Sequence, residues 1–414
     1  MSIRPARSHK ALLVLTITAV LASGHAALAG DWPQWRGPTG LGYTDEKNLP
    51  LTWNSKTGEN VVWKVELPKS HNPYSSPMAY RDRVVLTWAN NNPLEQHVTC
   101  YQASDGKQLW DTVVAPGKLK LSDGRGTYCA GTPAADEAGV YAVFGSAIVA
   151  ALDWNGHQRW RHELERIAFD VCPGSSPILY KDTLIYLADM TEKKSSLIAF
   201  DCKTGAVRWE ALRPDMQFAH STPVIVQVGG KNLMIIAASV AIQGADPASG
   251  KVLWWCKNPG DTSSPAFGAG LVYADSGRGG GNPGAAVDPA GTGEVQPRWK
   301  SDEIKNDLSS PTIVGEHVYR LCPKGLQCIE AATGKILYCE PIQGVSSWVS
   351  PVATPDGRLY YATAGKSCIV KVGPKFEVLA TNDLGDPHFA SPAVSNGRIY
   401  LRGNKFLFCV GAKP

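Results

Sequence analysis

The chain has 414 residues, 43% hydrophobic and 19% charged, a balance that excludes a disordered chain and an integral-membrane helix bundle. The 41 Gly and 29 Pro imply many turns and few long helices, and thirteen Trp against five Met is an unusual excess of the rarer residue. Without residues 1–29, which hold Arg4, Arg7, Lys10 and no acid, 38 bases face 37 acids, so a nucleic-acid binder relying on a basic surface is excluded.

Arg4, Arg7 and Lys10 precede an apolar run from Ala11 to Ala22, and Ala27-Leu28-Ala29 follows. A basic region, a hydrophobic region and an A-x-A site predict a signal peptide over 1–29, cleaved after Ala29, and a periplasmic or secreted protein. The apolar run of 12 residues is too short to span a bilayer as a helix. No Cys precedes Cys100, so neither a transmembrane nor a lipid anchor is expected. Ten cysteines in an exported chain invite a disulfide reading, yet no C-x-x-C occurs.

A Ser-Pro or Thr-Pro pair recurs at Pro77, Pro133, Pro177, Pro223, Pro265, Pro311, Pro351 and Pro392, with spacings of 56, 44, 46, 42, 46, 40 and 41. After most pairs come an apolar strand, a turn, an aliphatic-aromatic strand such as Ile185-Tyr186, a third strand, and then a turn with Gly and Trp four residues later. The clearest copy is Ala199-Phe200-Asp201-Cys202-Lys203-Thr204-Gly205-Ala206-Val207-Arg208-Trp209. Four short strands in 40–45 residues is the pattern of a propeller blade, and eight copies predict an all-β, eight-bladed propeller of four-stranded antiparallel blades. The last repeat stops after three strands, near Pro392–Val394, Arg398–Arg402 and Lys405–Val410, while a spare strand, Asn60–Leu67, precedes the first pair. The N-terminal strand is therefore expected to complete the eighth blade and leave no open edge. Residues 30–59 are read as an extension packing on a single domain that spans 60–414.

Trp63, Trp110, Trp160, Trp209, Trp254 and Trp299 share the outer-strand position, where an indole can lie between blades with its N–H on a backbone acceptor. Cys100, Cys328, Cys368 and Cys409 align with Ala199, where a small buried residue is wanted and free Cys behaves as a small hydrophobe. The repeated Ser, in copies without a paired His, is expected to fix the turn into each strand rather than act as a nucleophile. A disulfide between Cys322 and Cys328 is not predicted, because the expected hairpin register does not set them opposite each other.

The Ala-x-Asp-x-x-Thr-Gly-x-x-x-Trp repeat resembles the tryptophan-docking motif of quinoprotein (PQQ-like) β-propellers. Asp31-Trp32-Pro33-Gln34-Trp35-Arg36-Gly37-Pro38 and Asn60-Val61-Val62-Trp63-Lys64 resemble the start of exported PQQ-like repeat proteins. The resemblance implies one of two classes: dehydrogenases holding pyrroloquinoline quinone (PQQ) and calcium in the central funnel, or cofactor-free modules of the BamB type that bind protein partners. The chain lacks the adjacent Cys-Cys pair of quinone alcohol dehydrogenases and their large loops. The expectation is a non-catalytic, monomeric scaffold or binding module with protein partners in the envelope or outside the cell, without metal or cofactor. The alternatives are a PQQ- and calcium-dependent dehydrogenase of alcohols or sugars, and glycan or peptide binding in the funnel, the last suggested by Trp88, Trp348 and Phe389.

Ring geometry groups the loops leading into the innermost strands on one face with the loops between middle strands. The first set carries His71, Tyr74, Tyr128, Asp170, His220, Asp261, Asp307, Trp348 and His388 with Phe389; the second adds Trp88 to Asn92, Arg278 and Arg402. This mixed rim is the candidate ligand or partner face. The run Gly277–Gly284 is read as a loop with Arg278 at its tip, since no Gly-Lys-Ser/Thr follows for a phosphate. His71, His220 and His388 come from separate blades, and no metal site is assigned.

Overall fold

Each Ser/Thr-Pro pair leads into a short strand that begins an antiparallel sheet, and Pro is tolerated there because it precedes the first ladder donor. The computed structural model describes residues 30–413 apart from 71–73, 122–126, 165–173, 191–193, 259, 261, 276–282, 304–307 and 346–347. The predicted leader therefore lies outside the described residues. Eight sheets form the blades of a ring. Blade 1 contains Met78–Tyr80, Arg83–Asn91, Leu94–Gln102 and Gln108–Val114, in order from the axis outward. Blades 2 to 7 repeat this order and begin at Ala134, Ile178, Val224, Ala266, Thr312 and Val352. Blade 8 takes Ala393–Ser395, Arg398–Arg402 and Phe406–Gly411 from the C-terminal end and Val61–Glu66 from the N-terminal end. The closure expected from the spare strand is thus realised, with Trp63 facing Cys409.

The repeated hydroxyl has a different role from the local turn expected of it. The amide of each Ser or Thr donates to the hydroxyl of its counterpart in the next blade: Ser76 to Thr132, Thr132 to Ser176, Ser176 to Thr222, Thr222 to Ser264, Ser264 to Ser310, Ser310 to Ser350 and Ser350 to Ser391, all at 2.9–3.1 Å. All eight residues are buried around the axis. The contact spans whole blades, so it satisfies buried amides that no strand of their own blade reaches.

The outer-strand tryptophans dock between blades. Trp63, Trp110, Trp160, Trp254 and Trp299 donate their indole N–H to the carbonyls of Ala103, Trp154, Cys202, Pro289 and Ala331 in the following blade, at 2.8–3.0 Å. For Trp63, Trp110, Trp160 and Trp299 the turn glycine of that next blade is the floor of the dock. A Cβ on Gly205 would lie 2.6 Å from the Trp160 ring, and Gly205 has φ +73, so both space and backbone conformation demand glycine. Inside each blade the indole faces a small residue: Cys100 opposite Trp110, Ala199 opposite Trp209 and Gly244 opposite Trp254.

Cys328 and Cys409 also hold this position, opposite Tyr338 and Trp63. Cys368 does not. It faces Thr381, and the bulge that follows the small residue elsewhere comes one residue later here, after Ile369 opposite Ala380. Where the aromatic is reduced to Ala, its cross-strand neighbour is enlarged to Ile, which offsets part of the lost volume.

The segment from Asp31 to Glu59 crosses the face bearing the hairpins between first and second strands. Trp32 pairs with Ala79 of blade 1, and the Pro33 carbonyl accepts from Ala135 of blade 2. The Trp35 indole reaches Ser264 in the hydroxyl ring at 3.1 Å. Arg36 donates to the carbonyls of Leu41 and Pro311, and Tyr43 bonds the carbonyl of Ile313. Gly42 and Thr44 pair with Ala353, and the Glu46 carboxylate accepts from the amides of Asn396 and Gly397. This face is covered by the chain's own N-terminal segment. Among the described residues, that segment leaves the opposite face, where loops lead into the innermost strands, open.

Candidate functional site

The open face gathers one exposed aromatic cluster. Tyr74 leads into blade 1, Trp348 into blade 7 and Phe389 into blade 8, three consecutive positions around the closed ring. Their ring centroids are 6.1 Å (Tyr74–Trp348), 6.3 Å (Tyr74–Phe389) and 5.0 Å (Trp348–Phe389) apart, within the range of favourable aromatic pairs. Trp348 is 41% exposed and Phe389 46%, while Tyr74 is half-buried. Most other exposed large apolar side chains, such as Val113, Leu212 and Val378, lie on outermost strands. There an alternating strand leaves every second residue in water, and single exposed residues need no further cause. Two touching aromatics on a loop face do.

The remaining sequence candidates divide into those used by the fold and those beyond description. His71, Asp170, Asp261, Arg278 and Asp307 lie outside the described residues. Tyr128 is buried, and its hydroxyl accepts from the Leu121 amide at 3.0 Å. His220 takes the Gly174 amide on Nδ1 at 2.9 Å and meets Phe218 edge-on at 4.4 Å. His388 is buried beside the cluster, its Nδ1 accepting from the Ala390 amide at 3.0 Å and its ring 6.1 Å from Phe389.

Trp88 is not on a loop. Strand Arg83–Asn91 runs longer than the periodicity suggested, and Trp88 sits inside it opposite His97. The indole is buried, stacks on the His97 ring at 3.6 Å and donates to Thr99 at 2.9 Å, while His97 Nδ1 lies 2.8 Å from Asp111. The partners are cross-strand neighbours, a relationship that only strand register reveals. Arg402 is likewise in a strand and buried, donating from Nη1 to the Ser75 carbonyl and hydroxyl and to the Thr87 carbonyl, at 2.6–2.9 Å. It fastens blade 8 to blade 1. Burial pushes its guanidinium down to about 10. The end of the Gly277–Gly284 run is also strand, since Pro283–Val287 belongs to blade 5.

Of the described buried carboxylates, Asp189 and Asp275 are committed to arginines, Asp386 accepts from the backbone amides of Lys405 and Phe406, and Asp31 accepts from that of Arg81. Asp189 receives Arg213 Nε at 2.7 Å and Nη2 at 3.0 Å, and Asp275 receives Arg320 Nη1 at 2.8 Å. A cation placed on either would have to displace a buried guanidinium and leave it uncompensated. Among the described residues no three of His, Cys, Asp and Glu stand close enough to hold a metal ion. Asp189 and Asp275 as they stand therefore do not offer a calcium site.

A family model described as outer membrane protein assembly factor BamB matches residues 39–169 and 94–339, most of the chain. The chain belongs to this family of PQQ-like β-propellers. Among curated proteins none matches the sequence. The ring is similar to BamB from Moraxella catarrhalis, with a TM-score of 0.61 and 15% identity over 85% of this chain and 97% of that one. It is also similar to a europium-containing methanol dehydrogenase, with a TM-score of 0.67 and 12% identity over 90% and 89%. The quinohemoprotein alcohol dehydrogenase from Comamonas testosteroni gives 0.51 and 12% over 94% and 82%. Identities this low establish a shared fold only. Among the described residues no helix is long and apolar enough to cross a membrane.

Proposed function

We propose that this PQQ-like β-propeller is an exported, non-catalytic binding module that takes a protein partner on its open face through Tyr74, Trp348 and Phe389. The observation that carries the reading is the cluster itself: three aromatics from three blades, touching one another, with two of them in water. Tyr and Trp lead among residues that dominate protein interfaces, because they offer a large rigid surface at small entropic cost. The opposite face is occupied by the chain's own segment, and the buried Asp189, Asp275 and Arg402 are engaged in contacts between or within blades. Export rests on the leader pattern in residues 1–29, and the family model named for BamB supports a role in protein assembly.

The competing reading is a quinone-dependent dehydrogenase, and one titration separates the two. Purified protein is titrated with PQQ and calcium while tryptophan fluorescence is followed, then tested for dye reduction with alcohols and sugars. A binding module gives neither saturable quenching nor turnover. Saturable micromolar binding with turnover overturns it.

A further inference from the structure

Of the described cysteines, seven are buried and two, Cys322 and Cys339, are half-exposed. The sulfurs of these two lie 3.4 Å apart, in contact. They are not neighbours in the sheet of blade 6: Cys322 faces Gly325 across a two-residue hairpin, Cys339 faces Gln327, and the strand Gly325–Glu330 runs between them. Gly325 brings them together. It has φ +132, and a Cβ there would lie 2.1 Å from the Glu340 carbonyl and 2.6 Å from Pro341 Cα. The end of the outer strand closes over the root of the hairpin because no side chain stands in its way, and Cys339 travels with it. Cys328, the nearer cysteine in sequence, is fully buried opposite Tyr319 and Tyr338.

We infer that Cys322 and Cys339 are a disulfide-forming pair, joined by exchange with a protein or glutathione disulfide. One thiolate attacks a sulfur of the oxidant R–S–S–R, forming a mixed disulfide and expelling R–S⁻. The second attacks the protein sulfur of that mixed disulfide, forming the Cys322–Cys339 bond and expelling the other R–S⁻. The two protons released by the cysteines leave as two R–SH, and two electrons pass to the oxidant. The bond ties the 322–325 hairpin to the end of the outer strand Ile336–Glu340. That the bond forms in the cell rests on the export proposed above; that these two residues pair rests on their geometry.

The full chain, purified reduced, is equilibrated with oxidised glutathione, its remaining thiols are blocked with N-ethylmaleimide, and it is digested with trypsin. Cleavage after Arg320, Lys324, Lys335 and Arg358 places Cys322, Cys328 and Cys339 in three separate peptides. The expected product is peptide 321–324 linked to 336–358, with the intact chain lighter by about 2 Da from loss of two hydrogens. Cys322→Ser and Cys339→Ser each abolish the linked peptide, and Cys100→Ser retains it. Maleimide on both peptides after oxidation, separate glutathione adducts on each, or a link from 321–324 to 325–335 overturns the pairing. Chain trapped directly from cells is expected to carry the same link. Finding it reduced in cells but linked by glutathione in vitro counts against export and supports the pairing.

Discussion

The amide of Ser391 donates to the hydroxyl of Ser76 at 2.9 Å, across 315 residues of sequence, and that bond completes an eight-membered ring of identical contacts. The ends of the chain are thus joined twice, at the axis by this bond and at the rim by the pairing of Val61–Glu66 with Phe406–Gly411.

Removing one hydroxyl leaves a buried amide without its acceptor. Ser76→Ala is expected to lower unfolding stability by about 1–3 kcal/mol, the usual cost of such an orphan. Ser76→Thr is expected to cost much less, because Thr132 and Thr222 already fill the same role. Urea denaturation of the three proteins checks this, and equal losses for Ala and Thr would contradict the ring.

Trp254 is 1% exposed, lies on Gly244 and donates to the Pro289 carbonyl of the next blade. Trp254→Ala is expected to cost about 3–5 kcal/mol, as for other buried aromatic truncations. Trp209→Ala, at a half-buried copy of the same position, falls at the lower end of that range. Melting curves that do not separate either variant from the parent would show that the docks do not hold neighbouring blades.

Asn382 clamps the N-terminal segment, accepting from the Trp53 amide and donating to the Leu51 carbonyl, both at 2.9 Å. Asn382→Ala is expected to speed tryptic cleavage at the exposed Lys47 and Lys56 while leaving the propeller folded. Unchanged cleavage rates would mean that the segment is held elsewhere.

Arg208 reaches both Asp182 and Asp201 at 2.6 Å, and its hydrogen bonds, with those of Thr204, hold the Asp201 carboxyl down at about 2. A carboxyl depressed on folding stabilises the fold above its ordinary range and loses that contribution as pH falls through its folded value. Denaturation midpoints measured from pH 5 to pH 2 are expected to fall less steeply for Asp201→Asn than for the parent. The pair is partly solvated, so the difference is small.

The blade count, the closure and the tryptophan docks were legible because each rests on a repeated local pattern: Ser/Thr-Pro before an apolar strand, and Gly four residues before Trp. Even the stretched copy in blade 5 kept its Trp299, although Gly293–Glu294 turns aside to pair with the outer strand of blade 4. The acceptor of each repeated amide lies a full blade away and leaves no local signal, so the hydroxyl looked like a turn residue. Trp88 looked like a rim aromatic because its partner His97 comes from register, and Cys368 looked like Cys100 because one bulge moved by a residue. Of the rim, the cluster was half visible in Tyr74, Trp348 and Phe389. That these three touch depends on closure of the ring, which sets blade 8 beside blade 1.

The most direct test of the open face is photocrosslinking in intact cells, with a photoreactive aromatic amino acid placed at position 348 and, for comparison, at Leu212 on the outer edge of blade 3. A partner bound through Tyr74, Trp348 and Phe389 gives a discrete protein adduct from position 348, weakened by Phe389→Ala, and none from position 212. No adduct from 348, or the same adduct from both positions, would contradict a binding site on that face.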